Sequence, residues 1–271
     1  MNEIKNTKQM NIIEHFYSIQ GEGLFCGQPS YFIRMGICPL RCSFCDSKFT
    51  WKTKEEKDLH AIYNDILLKS KTKHIVITGG EPFYQLNYWH MIEMVKFFTD
   101  RHFTVTIETT GIYDEFQIIT GSLLYNLTLF EEDVPSFGKE NIYFSISPKF
   151  NIEAYSDFFP SERNNVSLGT TQIYDFYNLL NWKVRGFENK KKYFYYKFVY
   201  NKNTEGLIED FIRHYVPEEL YDNVFIMPET PLSNLKEKNN NMEEAAEFCK
   251  KIGVRYSPRI HVDIWGLQKG R

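Results

Sequence analysis

The sequence of 271 residues contains no run of about 18 apolar residues, so it offers no membrane-spanning helix. Its first ten residues lack the apolar stretch of a secretory signal peptide, and we expect a cytoplasmic protein. Apart from three lysines at residues 190–192, no block of one charge sign occurs, which argues against extended nucleic-acid binding. Five cysteines are too few for a disulfide scaffold, and their odd number favours metal ligands and free thiols.

Short apolar runs alternate with helical patterns along most of the chain. Strands are predicted at residues 30–35, 74–78, 104–108, 142–146, 193–200 and 224–227. Helices are predicted at residues 55–68, 86–98, 205–215 and 243–252. This alternation predicts an α/β fold with about six mostly parallel strands, too few for a closed eight-stranded barrel. We therefore expect a partial (incomplete) β/α barrel with loop insertions.

Length and composition favour a single domain over residues 1–271, since no repeat or low-complexity linker divides the chain. Residues 1–11 are expected to form a flexible N-terminal segment. Residues 113–139 and 151–192 interrupt the alternation and are interpreted as insertions or long connections.

Three of the five cysteines, Cys38, Cys42 and Cys45, follow the first predicted strand with the spacing C-x3-C-x2-C. Soft thiolates grouped in this way suit a soft metal or an iron-sulfur cluster. A structural zinc site would normally add a fourth Cys or His at a short spacing. Two alternatives remain open: a zinc knuckle completed by Cys26 or a distant His, and three unrelated buried thiols.

The second motif is T-G-G-E-P at residues 78–82, between a predicted strand and a predicted helix. Glycines at the end of a strand allow close approach of the backbone to a ligand, because no Cβ intervenes. Together with the cysteine spacing, this motif resembles the radical S-adenosylmethionine (SAM) superfamily. The resemblance implies a 4Fe-4S cluster with three protein ligands, whose open iron binds SAM for reductive cleavage to a 5′-deoxyadenosyl radical.

Further motifs narrow the resemblance to the 7-carboxy-7-deazaguanine synthase family. They are Y-S-I-Q-G-E-G at residues 17–23, C-D-S at 45–47, E-T-T-G at 108–111, S-P-K at 147–149 and S-P-R-I-H-V at 257–262. The resemblance implies a lyase that converts 6-carboxy-5,6,7,8-tetrahydropterin to 7-carboxy-7-deazaguanine with loss of ammonia, in queuosine-type 7-deazapurine biosynthesis. It also implies Mg2+, a flavodoxin or ferredoxin-type electron donor and a homodimer.

The resemblance assigns a role to each matching residue. Cys38, Cys42 and Cys45 would bind the 4Fe-4S cluster, and Ser47 would offer a hard oxygen to Mg2+. The expected SAM contacts are Phe44, Cys45, Asp46, Gly80, Glu81, Ser147, Pro148 and Lys149. The expected substrate contacts are Ile19, Gln20, Gly21, Arg34, Thr78 and Glu108. Of these, Arg34 presents a planar fork suited to a carboxylate, and Glu108 ends a strand where ligand sites of α/β proteins gather.

Two alternative functions remain open at the level of the sequence. A glycyl-radical enzyme activase shares the cysteine spacing but would need a surface that docks a partner protein. A non-catalytic iron-sulfur or zinc-binding module would hold its metal without turning over SAM, and metal analysis would identify it.

Overall fold

A computed structural model describes residues 9–38, 40–84, 88–110, 141–150, 152–155, 193–230, 235–266, 268 and 270. Most of its strands form one sheet of nine, in the order β11-β10-β9-β7-β6-β5-β2-β1-β4. These strands are β1 (Gln9–Ile19), β2 (Pro29–Met35), β4 (Glu56–Asp58), β5 (His74–Gly79), β6 (Thr104–Thr109), β7 (Ile142–Ile146), β9 (Phe194–Tyr200), β10 (Val224–Pro228) and β11 (Arg255–Tyr256). The remaining two, β3 (Leu40–Cys42) and β8 (Ile152–Tyr155), pair with each other.

Strands β2, β5, β6, β7, β9, β10 and β11 run parallel, whereas β1 and β4 add to one edge in antiparallel fashion. Among the described residues, no pairing joins the edge strands β4 and β11, so the sheet is open. The predicted partial α/β barrel is confirmed. The central strands are β-branched and buried, as in Ile75, Val76 and Ile77 of β5, which matches a parallel sheet covered on both faces.

The described residues contain five α-helices: α1 (Leu59–Lys69), α2 (Tyr88–Thr99), α3 (Glu205–Tyr215), α4 (Leu235–Ile252) and α5 (Ile260–Trp265). Helix α1 begins at Leu59 because the side chain of Asp58 caps it, accepting a hydrogen bond from His60 N at 3.0 Å. In the part of the chain that is described, no helix has the length and apolar character to span a bilayer.

All six predicted strands and all four predicted helices are present, with shifted ends. Helix α1 starts later than residue 55, because residues 56–58 pair with β1 instead. The flexible segment predicted over residues 1–11 is wrong for residues 9–11, which lie in β1. Residues 1–8, 113–139 and 156–192 lie outside the described residues, so the predicted insertions there and the single-domain organisation stay predictions.

Candidate active site

One cavity of about 780 Å³ lies at the carboxyl ends of the parallel strands. The parallel strands contribute side chains to it at or just after their carboxyl ends. These side chains include Arg34, Thr78, Glu108, Ser147 and Pro228. This is the edge at which open α/β sheets bind ligands, and the volume is that of a small-molecule site.

The structure places most of the sequence-predicted site residues on the wall of this cavity. They are Ile19, Gln20, Arg34, Cys38, Cys42, Phe44, Cys45, Asp46, Ser47, Thr78, Gly80, Glu108, Ser147 and Lys149. The exceptions are Gly21, Glu81 and Pro148, which are not among its lining residues. Residues from six separate segments of the sequence thus meet in one place.

The three cysteines of the loop after β2 are free thiols on the cavity wall. The backbone of the loop is fixed by hydrogen bonds from Ile37 N to Thr50 O at 2.7 Å and from Cys38 N to Trp51 O at 3.3 Å. Ile37 has φ 65°, a left-handed conformation that costs free energy for a β-branched residue. The backbone strain therefore lies directly before the first cysteine.

These thiols fit an iron-sulfur cluster in their chemistry. Burial, with the Glu81 carboxylate second, raises the pKa of Cys38 to about 12, and burial also raises the pKa of Cys42. A metal must therefore displace protons from buried thiols, as soft iron does when it binds thiolate. Among the described residues, no group of three His, Cys, Asp or Glu side chains is arranged around a single ion.

The T-G-G-E-P turn packs against the start of the cysteine loop. A Cβ on Gly80 would lie 2.0 Å from Ile37 O, and the backbone of the turn binds the loop through Gly80 N to Met35 O and Glu81 N to Ile37 O, both 2.9 Å. The glycines thus allow the backbone of the turn to approach the backbone of the cysteine loop closely. Gly80 also lines the cavity.

Glu81 is not among the lining residues of the cavity, and its expected contact with SAM stays a prediction. Its buried carboxylate accepts hydrogen bonds from Phe83 N, from the Thr109 hydroxyl, and from the backbone N and hydroxyl of Thr110. Burial raises the pKa of Glu81. The side chain ties the turn to the end of β6.

Arg34 is held by its surroundings on the cavity wall. Its Nε donates to Glu14 Oε1 at 2.5 Å across the β1–β2 ladder, and its Nη1 donates to the Ser47 hydroxyl at 3.3 Å. The guanidinium lies 6.0 Å from the ring centroid of Phe16 and 5.9 Å from that of Phe49. These contacts leave Nη2 and part of Nη1 to bind an anion.

The S-P-K segment meets the cysteine loop across the cavity. Lys149 Nζ donates to the Ser147 hydroxyl at 2.7 Å and lies 5.9 Å from the Phe44 ring centroid. Ser147 N donates to Thr109 O at 2.8 Å, so this segment is also anchored to β6. Pro148 between them is buried and does not line the cavity.

A chain of alternating charges crosses the cavity wall, and three of its five members, Glu22, Lys197 and Arg259, had no role assigned from the sequence. Lys197 Nζ lies 2.7 Å from Glu22 Oε2 and 3.3 Å from Glu108 Oε1. Arg259 Nε lies 3.0 Å from Glu22 Oε1, and its Nη2 lies 2.5 Å from Asp46 Oδ2. We call Asp46, Arg259, Glu22, Lys197 and Glu108 the charge chain.

Electrostatics within the charge chain favour ionised groups. Burial alone would raise the pKa of Glu22, but Lys197 and Arg259 outweigh it and hold that pKa below its usual range. Burial would likewise lower the pKa of Lys197, yet Glu108 and Glu22 raise it. The site therefore keeps buried carboxylates charged by pairing them with buried cations.

The C-terminal segment closes one side of the cavity. Ile260 N donates to Gly21 O at 3.1 Å, and the Ser257 hydroxyl accepts from Gly23 N at 2.8 Å. A Cβ on Gly21 would lie 1.9 Å from Nδ1 of His261, so only glycine leaves room for that ring. Gly21 thus allows the C-terminal segment to pack closely, while His261 itself lines the cavity.

Comparison with known proteins identifies the class of this site. Residues 32–150 match the Radical SAM superfamily, and this region holds the cysteine loop and the T-G-G-E-P turn. The crystal structure of QueE from Escherichia coli superposes with a TM-score of 0.59 at 19% identity, covering 92% of this chain and 93% of that one, which shows a shared fold. Residues 32–150 are therefore similar to a radical SAM domain, and that family implies a 4Fe-4S cluster and SAM as cofactors.

The relatives in sequence carry one particular name, 7-carboxy-7-deazaguanine synthase. The protein of that name from Pyrobaculum aerophilum is 26% identical over 98% of this chain and 99% of its own length. Those from Buchnera aphidicola and Aquifex aeolicus are each 36% identical, over 37% and 55% of this chain, and the aligned parts span 53% and 59% of those relatives. The resemblance inferred from the motifs is confirmed.

Proposed function

We propose that the chain is a radical SAM lyase that converts 6-carboxy-5,6,7,8-tetrahydropterin to 7-carboxy-7-deazaguanine with loss of ammonia. The observation that carries the proposal is the meeting of Cys38, Cys42 and Cys45 with Arg34 and Glu108 around one cavity. The name of a relative aligned over nearly its whole length supports the same reaction.

Cys38, Cys42 and Cys45 would hold the cluster, whose open iron binds SAM. The cluster and SAM supply the hydrogen-atom abstraction, and the protein supplies position and shielding. Phe44, Asp46, Gly80, Ser147 and Lys149, which also line the cavity, would contact SAM.

The other side chains of the cavity wall complement the polar groups of the substrate. Arg34 offers a fixed fork to the substrate carboxylate, since Glu14 occupies its Nε and leaves the far side open. Glu108 is held by the hydroxyl of Thr78 at 2.8 Å and by Nε2 of Gln20 at 3.2 Å. Its carboxylate can accept hydrogen bonds from the amino and ring N–H groups of a pterin.

Magnesium is a further part of the proposal. The Ser47 hydroxyl lies on the cavity wall, 3.1 Å from Asp46 Oδ1 and 3.3 Å from Arg34 Nη1. A hard oxygen beside the carboxylate-binding arginine suits a magnesium ion shared with the substrate carboxylate. A flavodoxin or ferredoxin-type donor would supply the electron for SAM cleavage, and a cytoplasmic homodimer remains the expected form.

The test is anaerobic turnover. Protein reconstituted with iron and sulfide should hold about four irons and, with reductant, SAM, magnesium and carboxytetrahydropterin, should form the carboxydeazaguanine. Formation of 5′-deoxyadenosine without a deazaguanine would indicate another radical reaction, such as activation of a glycyl-radical enzyme. One bound zinc and no iron would indicate a metal-binding module instead.

A further inference from the structure

Lys197 is the one charged side chain in β9, whose sequence F-Y-Y-K-F-V-Y is otherwise aromatic and aliphatic. The strand lies inside the sheet between β7 and β10, and the lysine side chain is only 7% exposed. A buried ammonium is costly unless it is paired, and here two carboxylates approach it. The charge of Lys197 therefore acts directly on these two carboxylates.

Those neighbours, Glu22 and Glu108, both line the cavity. Glu108 accepts hydrogen bonds from Gln20, Thr78 and Lys197, and Glu22 accepts them from Lys197 and Arg259. Because a carboxylate offers about four acceptor positions, the pair keeps about three for a ligand. A ligand edge with several N–H donors in a row would use them.

Several charged or titratable groups surround Lys197 and its two carboxylate partners. Glu22 comes from the loop after β1, Glu108 from β6 and Tyr195 from β9 itself, while Arg259 and His261 face Glu22 from the C-terminal segment. Asp46 faces Arg259 from the cysteine loop. Without Lys197, the carboxylates of Glu22 and Glu108 would share the site as like charges, and one would take up a proton.

We propose that Lys197 is a positioning residue that keeps Glu22 and Glu108 as an ionised pair of acceptors for the 2-amino and ring N–H edge of the substrate. This inference deepens the proposed function and rests on it for the identity of the substrate. Lys197 acts through the two carboxylates and needs no contact with the reacting atoms.

The experiment compares Lys197→Met with wild type over about pH 6 to 9, a range in which the lowered pKa of Glu22 keeps this carboxylate ionised in wild type. We expect the wild-type KM for the pterin to change little at the acid end, and the KM of the variant to rise about tenfold there and to recover as the pH increases.

A second variant covers the case in which Lys197→Met does not fold. In Lys197→Met/Glu22→Gln, one carboxylate remains and the like-charge pair is gone, so the protein should fold and the acid-side rise in KM should disappear. Binding should nevertheless stay weaker than in wild type at every pH. The matched control is Lys202→Met, which removes a lysine that is 67% exposed and pairs with Glu205 outside the cavity; its pH profile should equal that of wild type.

A binding measurement separates this inference from the proposed function. The product keeps the same 2-amino and N–H edge, so its dissociation constant can be measured against pH without turnover. Wild-type protein that binds the product but forms none would contradict the proposed reaction and leave the binding profile to decide on Lys197. A Lys197→Met protein whose KM and dissociation constant change by one factor at all pH values, or not at all, would overturn the inference.

Discussion

Gly80→Ala tests whether the T-G-G-E-P turn supports the cysteine loop. The added Cβ would lie 2.0 Å from the carbonyl oxygen of Ile37 and 2.5 Å from its carbonyl carbon, so the two segments must move apart by about 1 Å. Ile37 is the residue before Cys38, and its carbonyl also accepts the hydrogen bond of Glu81 N at 2.9 Å. The substitution should therefore displace the first cluster ligand.

The expected cost follows from these contacts. Overpacking costs about 1–3 kcal/mol, and a lost backbone hydrogen bond costs about 0.5–1.5 kcal/mol. The free energy of unfolding of Gly80→Ala should thus fall by about 2–4 kcal/mol, which lowers the melting temperature by roughly 5–15 °C for a chain of this size. Iron incorporation on reconstitution should fall with it.

Gly206→Ala is the matched control. It makes the same chemical change in the first turn of α3, where a Cβ would meet no atom within 4 Å and alanine favours a helix. Thermal unfolding of the apoprotein and iron analysis of the reconstituted protein measure both variants. If Gly80→Ala matches Gly206→Ala in melting temperature and iron content, the packing argument is wrong.

Three further predictions concern the ligands of the site. Cys42→Ala should abolish cluster assembly and 5′-deoxyadenosine formation, because one of three thiolates is lost; full iron content would contradict the site. Ser47→Ala should weaken the stimulation by magnesium, and an unaltered magnesium titration would reject that ligand. Glu14→Ala should raise the KM for the pterin about tenfold, equal to about 1.4 kcal/mol, because Arg34 loses the partner at its Nε. Glu14→Gln keeps an acceptor and should have an intermediate KM, while equal KM values for all three proteins would refute the role.

The sequence was sufficient to predict the cysteine loop and six of the seven parallel strands that the structure describes, the exception being the two-residue strand β11. The strands are continuous β-branched or aromatic runs, as in residues 74–79 and 194–200, whose burial on both faces leaves a clear local pattern. Strand β1 was missed because only its first part is buried, and its later residues are half-exposed toward the cavity. A strand that lines a site has no simple hydrophobic period.

Most residues assigned from local motifs lie on the cavity wall, but the motifs could not tell which side chains face it. Glu81 belongs to the same short motif as Gly80, yet its carboxylate accepts hydrogen bonds from Thr109 and Thr110, and Glu81 does not line the cavity. Whether a motif residue contacts a ligand or supports the turn depends on a strand some 28 residues further along the chain. Sequence spacing alone carries no information on that choice.

The charge chain was beyond local reasoning for the same reason. Lys197 reaches Glu22 over a separation of 175 residues, and Arg259 reaches the same carboxylate over 237. The sequence nevertheless contained one signal, a single lysine in an otherwise aromatic and aliphatic strand. Burial of a lysine without a paired anion is energetically unfavourable, so a buried carboxylate is expected beside it. The carboxylates that pair with this lysine belong to the Q-G-E-G loop and to the end of β6. The buried lysine therefore connects the core of the sheet to two carboxylates on the cavity wall.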